Sequence, residues 1–181
     1  MKKTRLLIFG ASGRMGRALL RIAKGDSRFE LVGGVTGRSA SFIDGVACPL
    51  FGIGQLEHTP AFDVAIDFSQ PEAFETILQF CKTRKVALVS GTTGLNDLHR
   101  KMLTDSAKEI PLLWASNFSL GVAVLNDLVR RAAKTLEVWG VDITETHHVH
   151  KKDAPSGTAL TLGQSVEQGG GRTPAYVSHR E

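Results

Sequence analysis

A short apolar run, Thr4-Arg-Leu-Leu-Ile-Phe9, passes directly into Gly10-Ala-Ser-Gly-Arg-Met-Gly16, and that junction constrains the fold more than any other stretch. Met15, Ala18, Leu19, Ile22 and Ala23 follow at i, i+3, i+4, i+7 and i+8, the spacing of one helix face. The glycines therefore sit where a strand turns into a helix. There Gly10 permits a tight turn, Gly13 lets a pyrophosphate approach the backbone, and Gly16 allows the helix to close on the strand. Three spaced glycines alone serve an ordinary βα turn as often. With strand, helix and a second apolar stretch from Glu30 to Val35 in order, the pattern favours a dinucleotide.

The alternation continues. Residues 36–60 are turn-rich and show little periodicity, and then Asp63-Val-Ala-Ile-Asp67 reads as a buried strand. Ser69 with Glu72 three positions later forms a capping-box signature for a helix carrying Phe74, Ile77, Leu78 and Cys81. Val86–Val89 is a strand ending at Gly91-Thr-Thr-Gly94, and a helix starts near Asn96. Pro111–Ala115 is a further strand ending at Ser116-Asn117, followed by a helix with Val124, Leu125, Leu128, Ala132 and Leu136 on its apolar face. Strands and helices in turn predict an α/β protein, a Rossmann-like doubly wound parallel sheet. Such sheets bind ligands beyond the carboxyl ends of their strands, so Phe68, Gly91, Thr93 and Asn117 are expected to rim one crevice. Capping of βα turns for local reasons is the competing account of each taken singly.

A second segment carries chemistry of another kind: Glu145-Thr-His-His-Val-His-Lys-Lys-Asp-Ala-Pro-Ser-Gly-Thr-Ala159. Histidines and lysines crowd into 147–152, and a proline and small residues lead into a helical pattern. Ser156 is placed to cap that helix, so the N–H groups near Gly157 and Thr158 point outward at its positive end. His147, His148 and Lys151 supply acids and cations just ahead of it. The segment suits an anionic substrate that must be held and protonated. A metal site and a solvated loop are the rival readings, and the neighbouring lysines oppose the metal.

The rest of the composition fits a soluble enzyme. The 181 residues are 42% hydrophobic and 22% charged, enough for one good core and part of another. No apolar run approaches membrane-spanning length, and no cleavable signal precedes the first strand. The net charge of +4 comes from scattered Lys and Arg with no aromatic-basic stripe, which fits a small anionic ligand better than nucleic acid. Two cysteines make no disulfide framework: Cys81 reads as core, Cys48 as a free loop thiol, and a reducing cytoplasm is the default compartment.

Taken together the motifs resemble the 4-hydroxy-tetrahydrodipicolinate (dihydrodipicolinate) reductase family. They stand in order as Gly10–Gly16, Ile66-Asp-Phe-Ser-Gln-Pro-Glu72, Gly91-Thr-Thr-Gly94, Ser116-Asn-Phe-Ser-Leu-Gly121 and His147–Ala159. The resemblance implies a dinucleotide-binding domain over residues 1–118, and over 119–181 an incomplete α+β domain for substrate binding and oligomerisation. It implies NAD(P)H-dependent reduction of 4-hydroxy-tetrahydrodipicolinate to tetrahydrodipicolinate in the diaminopimelate route to lysine. By the same resemblance the cofactor is lined by Gly10, Ala11, Ser12, Gly13, Arg14, Met15, Phe68, Gly91, Thr92, Thr93, Ser116, Asn117, Phe118 and Ser119. His147 resembles the family's acid/base residue and Lys151 its proton donor. His148, Ser156, Gly157 and Thr158 resemble the contacts to the cyclic dicarboxylate substrate.

Two departures stand out. The acidic residue that would favour NADH some 20 positions after the glycines is absent from Val35-Thr-Gly-Arg-Ser39. Thr36 and Arg38 can instead meet a 2′-phosphate, so NADPH is the preferred cofactor and NADH the second. Arg38 as a solvated loop cation is the bland alternative. Family members also continue through further strands and a final helix, and at full length form homotetramers through an open sheet. A chain ending at Glu181 is expected to turn over poorly, not to form a stable tetramer, and to be prone to aggregation or disorder after about Gly157. Two other readings stay open: a dinucleotide-binding module without catalysis, and another oxidoreductase with the same first domain, such as a homoserine or aspartate-semialdehyde dehydrogenase. The HHVHKKDAPSGTA run stands against the latter, which lacks it.

Overall fold

The computed structural model describes residues 2–37, 43, 45, 47–151 and 154–181. The chain divides into two compact units, Met1–Ala115 and Ser116–Glu181.

The first unit is built on six parallel strands: β1 (Thr4–Phe9), β2 (Phe29–Thr36), β3 (Leu50–Gly52), β4 (Val64–Asp67), β5 (Ala87–Ser90) and β6 (Leu112–Trp114). Their order in the sheet is β3-β2-β1-β4-β5-β6, so the winding reverses between β1 and β4. That is the doubly wound arrangement whose ligand crevice opens at the reversal. Helices α1 (Arg14–Gly25), α2 (Pro71–Arg84) and α3 (Asp97–Ser106) connect the strands. Strand alternation divides β1 between two cores: Leu7 and Phe9 pack with Phe74, Ile77, Leu78 and Leu103, whereas Ile8 packs with Leu20. Each such fully buried side chain contributes roughly 1.5–3 kcal/mol. Cys81 lies in the first of these cores at 0% exposure; burial, with a smaller push from the Asp67 charge, raises its thiol to about 12.

Two local expectations fail here. Residues 36–60 hold a three-residue strand, β3, and a 3₁₀ turn at Ile53–His58; elements so short leave no periodicity to read. The capping box of Ser69 and Glu72 does not form. The cap position of α2 is Gln70, without a side-chain cap bond, and Pro71 opens the helix. Proline supplies the helical φ and has no N–H to satisfy, so the helix starts without that box.

The second unit comprises α4 (Leu120–Thr135), β7 (Asp142–His147), α5 (Gly157–Gln168) and β8 (Ala175–Arg180). Helix α5 crosses between β7 and β8, which pair in parallel from Asp142↔Ala175 to His147↔Arg180. Residues 157–180 thus form a helix and a paired strand, where disorder was the expectation. Helix α4 keeps its expected period but not its expected face. Its buried residue is Ala133, close to Gly169 and Gly171, while Val124, Leu125, Leu128 and Leu136 are exposed. Small residues let the two helices close on that side, which turns the large apolar stripe outward. Among the described residues no helix is long and apolar enough to cross a membrane.

Candidate active site

The glycine loop has the geometry a phosphate needs. Gly10 takes φ +71°, and a Cβ there would stand 2.3 Å from the Phe68 carbonyl oxygen. A Cβ on Gly16 would fall 2.1 Å from the Gly10 carbonyl oxygen, so only glycine lets α1 start this close to β1. Gly13 caps α1 without a side chain to fill the first turn, which also lacks any acidic residue. The N–H groups of Arg14 and Met15 meet no acceptor among the described residues. An unclaimed helix N-terminus free of acids fits a pyrophosphate. Ser12, Arg14 and Met15 are exposed beside it. Ala11 is turned away: its methyl is buried, and its N–H donates to the Val35 carbonyl at 3.0 Å.

Across the reversal point, a buried carboxylate organises the ends of β4 and β5. Asp67 accepts from Ser90 Oγ and Thr92 Oγ1, both at 2.8 Å, and from the Ser69 N–H at 2.9 Å. Thr92 is held inside this network. Its side chain is 1% exposed and committed to Asp67, while its carbonyl accepts from Trp114 Nε1 at 3.0 Å, so it shapes the crevice from behind. Thr93, the next residue, is exposed, and the half-buried Phe68 ring lies over Gly91. Thr36 ends β2 as a buried residue, and Arg38 lies outside the described residues.

The remaining members of the expected cofactor set fall in the second unit. Ser116 Oγ is 3.5 Å from Thr161 Oγ1, and Asn117 Nδ2 donates to Thr158 Oγ1 at 3.1 Å. Asn117 Oδ1 in turn accepts from the Ser119 N–H, and Ser119 Oγ caps α4 by accepting from Val122 N–H. Phe118 is exposed. The Ser116–Ser119 segment is thereby fastened to the start of α5.

The N-terminus of α5 gathers the residues of the second motif. Ser156 Oγ accepts from Ala159 N–H at 3.2 Å, and Ser156 N–H donates to Glu145 Oε1 at 2.9 Å. Ser156 is buried and caps α5, as its place in the sequence implies. The cap leaves the N–H groups of Gly157 and Thr158 without an acceptor among the described residues, and no acid lies in the first turn. His147 ends β7 half-buried, its Nε2 3.0 Å from Glu145 Oε2. His148 is exposed, with its ring centroid 6.0 Å from that of His150. The turn from His148 to Lys151 closes through the Lys151 N–H and His148 carbonyl at 3.1 Å, and Arg180 Nε donates to the Lys151 carbonyl at 3.2 Å.

Glu145 escaped the sequence reading. Burial pushes its carboxyl up, but hydrogen bonds from Ser156, Ser178 and His147 outweigh it and hold the group at about 2. The available signal was Glu-x-His on a strand, since alternate residues share a face. Asp67 was missed likewise, although it stands inside a quoted motif; a lone acid within an apolar strand signals a buried network.

Comparison with known proteins agrees with this geometry. The family description "Dihydrodipicolinate reductase, N-terminus" matches residues 4–118, and "Dihydrodipicolinate reductase, C-terminus" matches residues 121–180. The 4-hydroxy-tetrahydrodipicolinate reductase of Xanthomonas axonopodis pv. citri is 58% identical over 178 residues, 97% of this chain and 74% of that protein. The reductase of Stenotrophomonas maltophilia is 55% identical over 179 residues, with the same coverage. A dipicolinate-bound dihydrodipicolinate reductase from Paenisporosarcina sp. TG-14 shares the fold, with a TM-score of 0.76 at 24% identity over 99% of this chain and 79% of that one. Matched along nearly its whole length, the chain belongs to the dihydrodipicolinate reductase family.

Proposed function

We propose that this chain carries out the reaction its relatives are named for, reducing 4-hydroxy-tetrahydrodipicolinate to tetrahydrodipicolinate in the diaminopimelate route to lysine. The observation that carries the reading is the start of α5. Among the described residues two backbone N–H groups, of Gly157 and Thr158, meet no acceptor and suit an anion, and His147 stands on the strand that Glu145 ties to the same helix end. A helix N-terminus neutralises one carboxylate of a cyclic diacid, and the exposed His148 is suited to the second. His147 and Lys151 are the candidates to protonate the ring. A nicotinamide dinucleotide, when bound, supplies the hydride. Gly10, Ser12, Gly13, Arg14 and Met15 would hold its pyrophosphate, with Phe68, Gly91 and Thr93 beyond β4 and β5. The absence of a carboxylate from Val35–Ser39 supports NADPH over NADH.

Pyridine-2,6-dicarboxylate is a direct probe. It should bind the chain and compete with substrate in an assay that follows oxidation of the reduced dinucleotide. A bare dinucleotide-binding module would bind NADPH and ignore the diacid, and that result would sink the reading.

A further inference from the structure

We infer that Glu145 is a positioning residue for this reaction, a single carboxylate that sets both the ring of His147 and the anion-binding end of α5. The inference rests on the assignment of His147 above. Glu145 and His147 lie two apart on β7 and therefore share a face. The register places Ser178 of β8 opposite Glu145. The Glu145 side chain, 11% exposed, uses both oxygens: Oε2 meets His147 Nε2 at 3.0 Å, and Oε1 accepts from Ser178 Oγ at 2.7 Å and Ser156 N–H at 2.9 Å. One side chain thus fastens β7, β8 and the cap of α5 together.

The chemistry follows from what a carboxylate can accept. Beside it, His147 keeps a proton on Nε2, which leaves Nδ1 as the nitrogen to present to a ligand. The third partner, the Ser156 N–H, fixes the cap residue whose hydroxyl accepts from Ala159 N–H, and the N–H groups of Gly157 and Thr158 that follow meet no acceptor among the described residues. Proton donor and anion site are held in register through one group. Glu145→Gln keeps the size and one acceptor oxygen but aims an NH2 at Nε2, which favours the opposite tautomer. In a Ser-His-Asp triad the corresponding carboxylate-to-amide change lowers turnover about 10⁴-fold. His147 is partly open to water, so the expected loss here is smaller, on the order of 10–10²-fold.

The test compares kcat and KM for the protein, E145Q, H147A and the double variant, alongside ¹⁵N spectra of the His147 ring. E145Q should lower kcat by at least about tenfold with KM for the reduced dinucleotide unchanged. In kcat the double variant should be no slower than H147A, because Glu145 acts on the chemical step through His147, while its hold on the cap of α5 is read in KM for the diacid substrate. Losses that multiply would make Glu145 an independent or merely structural group and overturn the inference. The spectra need no variant: neutral His147 should be protonated on Nε2, and Nδ1 protonation in the unmutated protein would also overturn it. An impaired H147A beside a normal E145Q removes Glu145 alone. A normal H147A removes His147 from the chemistry and takes both readings with it.

Discussion

Asp67 in the first unit and Glu145 in the second are built on one plan, with a single change of partner. Each accepts a backbone N–H from the segment after its strand and a hydroxyl from the neighbouring strand: Ser69 and Ser90 for Asp67, Ser156 and Ser178 for Glu145. The third donor differs. For Asp67 it is the Thr92 hydroxyl, sealed at 0% exposure of the acid; for Glu145 it is the half-buried His147 ring. A closed set of neutral donors can only hold shape. An imidazole ring that reaches solvent in place of one of them is what the proposed role of His147 requires. On the proposed function the first unit would frame a ligand that brings its own chemistry, and the second would supply acid and anion site from its own chain.

The largest expected effect tests the open network. His147→Ala and Lys151→Ala should each lower turnover by about 10²–10⁴-fold, the usual cost of a lost acid–base group, with NADPH affinity near normal. Single-turnover reduction in a stopped-flow instrument decides this. Near-normal rates in both variants would reduce the segment to a binding loop and erase the contrast with Asp67.

Asp67→Ala attacks the sealed network and should show the opposite signature. It strands the Ser90 and Thr92 hydroxyls and the Ser69 N–H, each worth about 1–3 kcal/mol when buried without an acceptor. The protein should lose roughly 3 kcal/mol or more, lowering Tm by about 2–4 °C per kcal/mol at this length. Turnover of the molecules that remain folded should change little. A stable variant with turnover as low as that of His147→Ala would show that Asp67 also serves chemistry.

These two residues mark what the sequence made legible. The sheet, its glycine loop and the helices facing its cores follow from periodicity, which is local and repeats along the chain. The cap at Ser156 is equally local, a hydroxyl three residues before the N–H it accepts. Asp67 with Ser90 and Thr92, or Glu145 with Ser178, joins residues far apart in sequence, and no spacing rule announces them. The Thr92 hydroxyl looks available in the sequence for that reason, until its long-range partner is seen. The α4 face failed differently. Apolar periodicity says which residues share a side but not which side finds a neighbour, and the small residues Ala133, Gly169 and Gly171 decided it.

A third, smaller effect belongs to the first unit alone. Arg38→Ala should weaken NADPH binding by roughly 1.5–3 kcal/mol, the range for a hydrogen bond to a charged group, and leave NADH nearly untouched. Equal losses for both dinucleotides in a titration would remove the 2′-phosphate from the argument. The first unit would then frame its cofactor through the glycine loop and strand ends only.

The smallest expected effect is a pH dependence of stability carried by Glu145. Its carboxyl sits at about 2 in the folded protein, below the ordinary 4.5, because the bonds from Ser156, Ser178 and His147 outweigh the cost of burial. A folded value below the unfolded one means that the unfolded chain binds the proton first as pH falls. The contribution to stability is therefore complete above about 4.5 and is lost progressively toward about 2. Glu145→Gln has no proton to take up there. Denaturant midpoints at about pH 6 and about pH 3 should show the original protein losing more stability than the variant between the two conditions. Asp26 and Asp63 are also held at about 2, by Arg28 and Arg5, but they are common to both proteins and cancel in the difference. Parallel losses would mean that Glu145 is not held as a carboxylate by its three donors, and the contrast with Asp67 would then rest on burial alone.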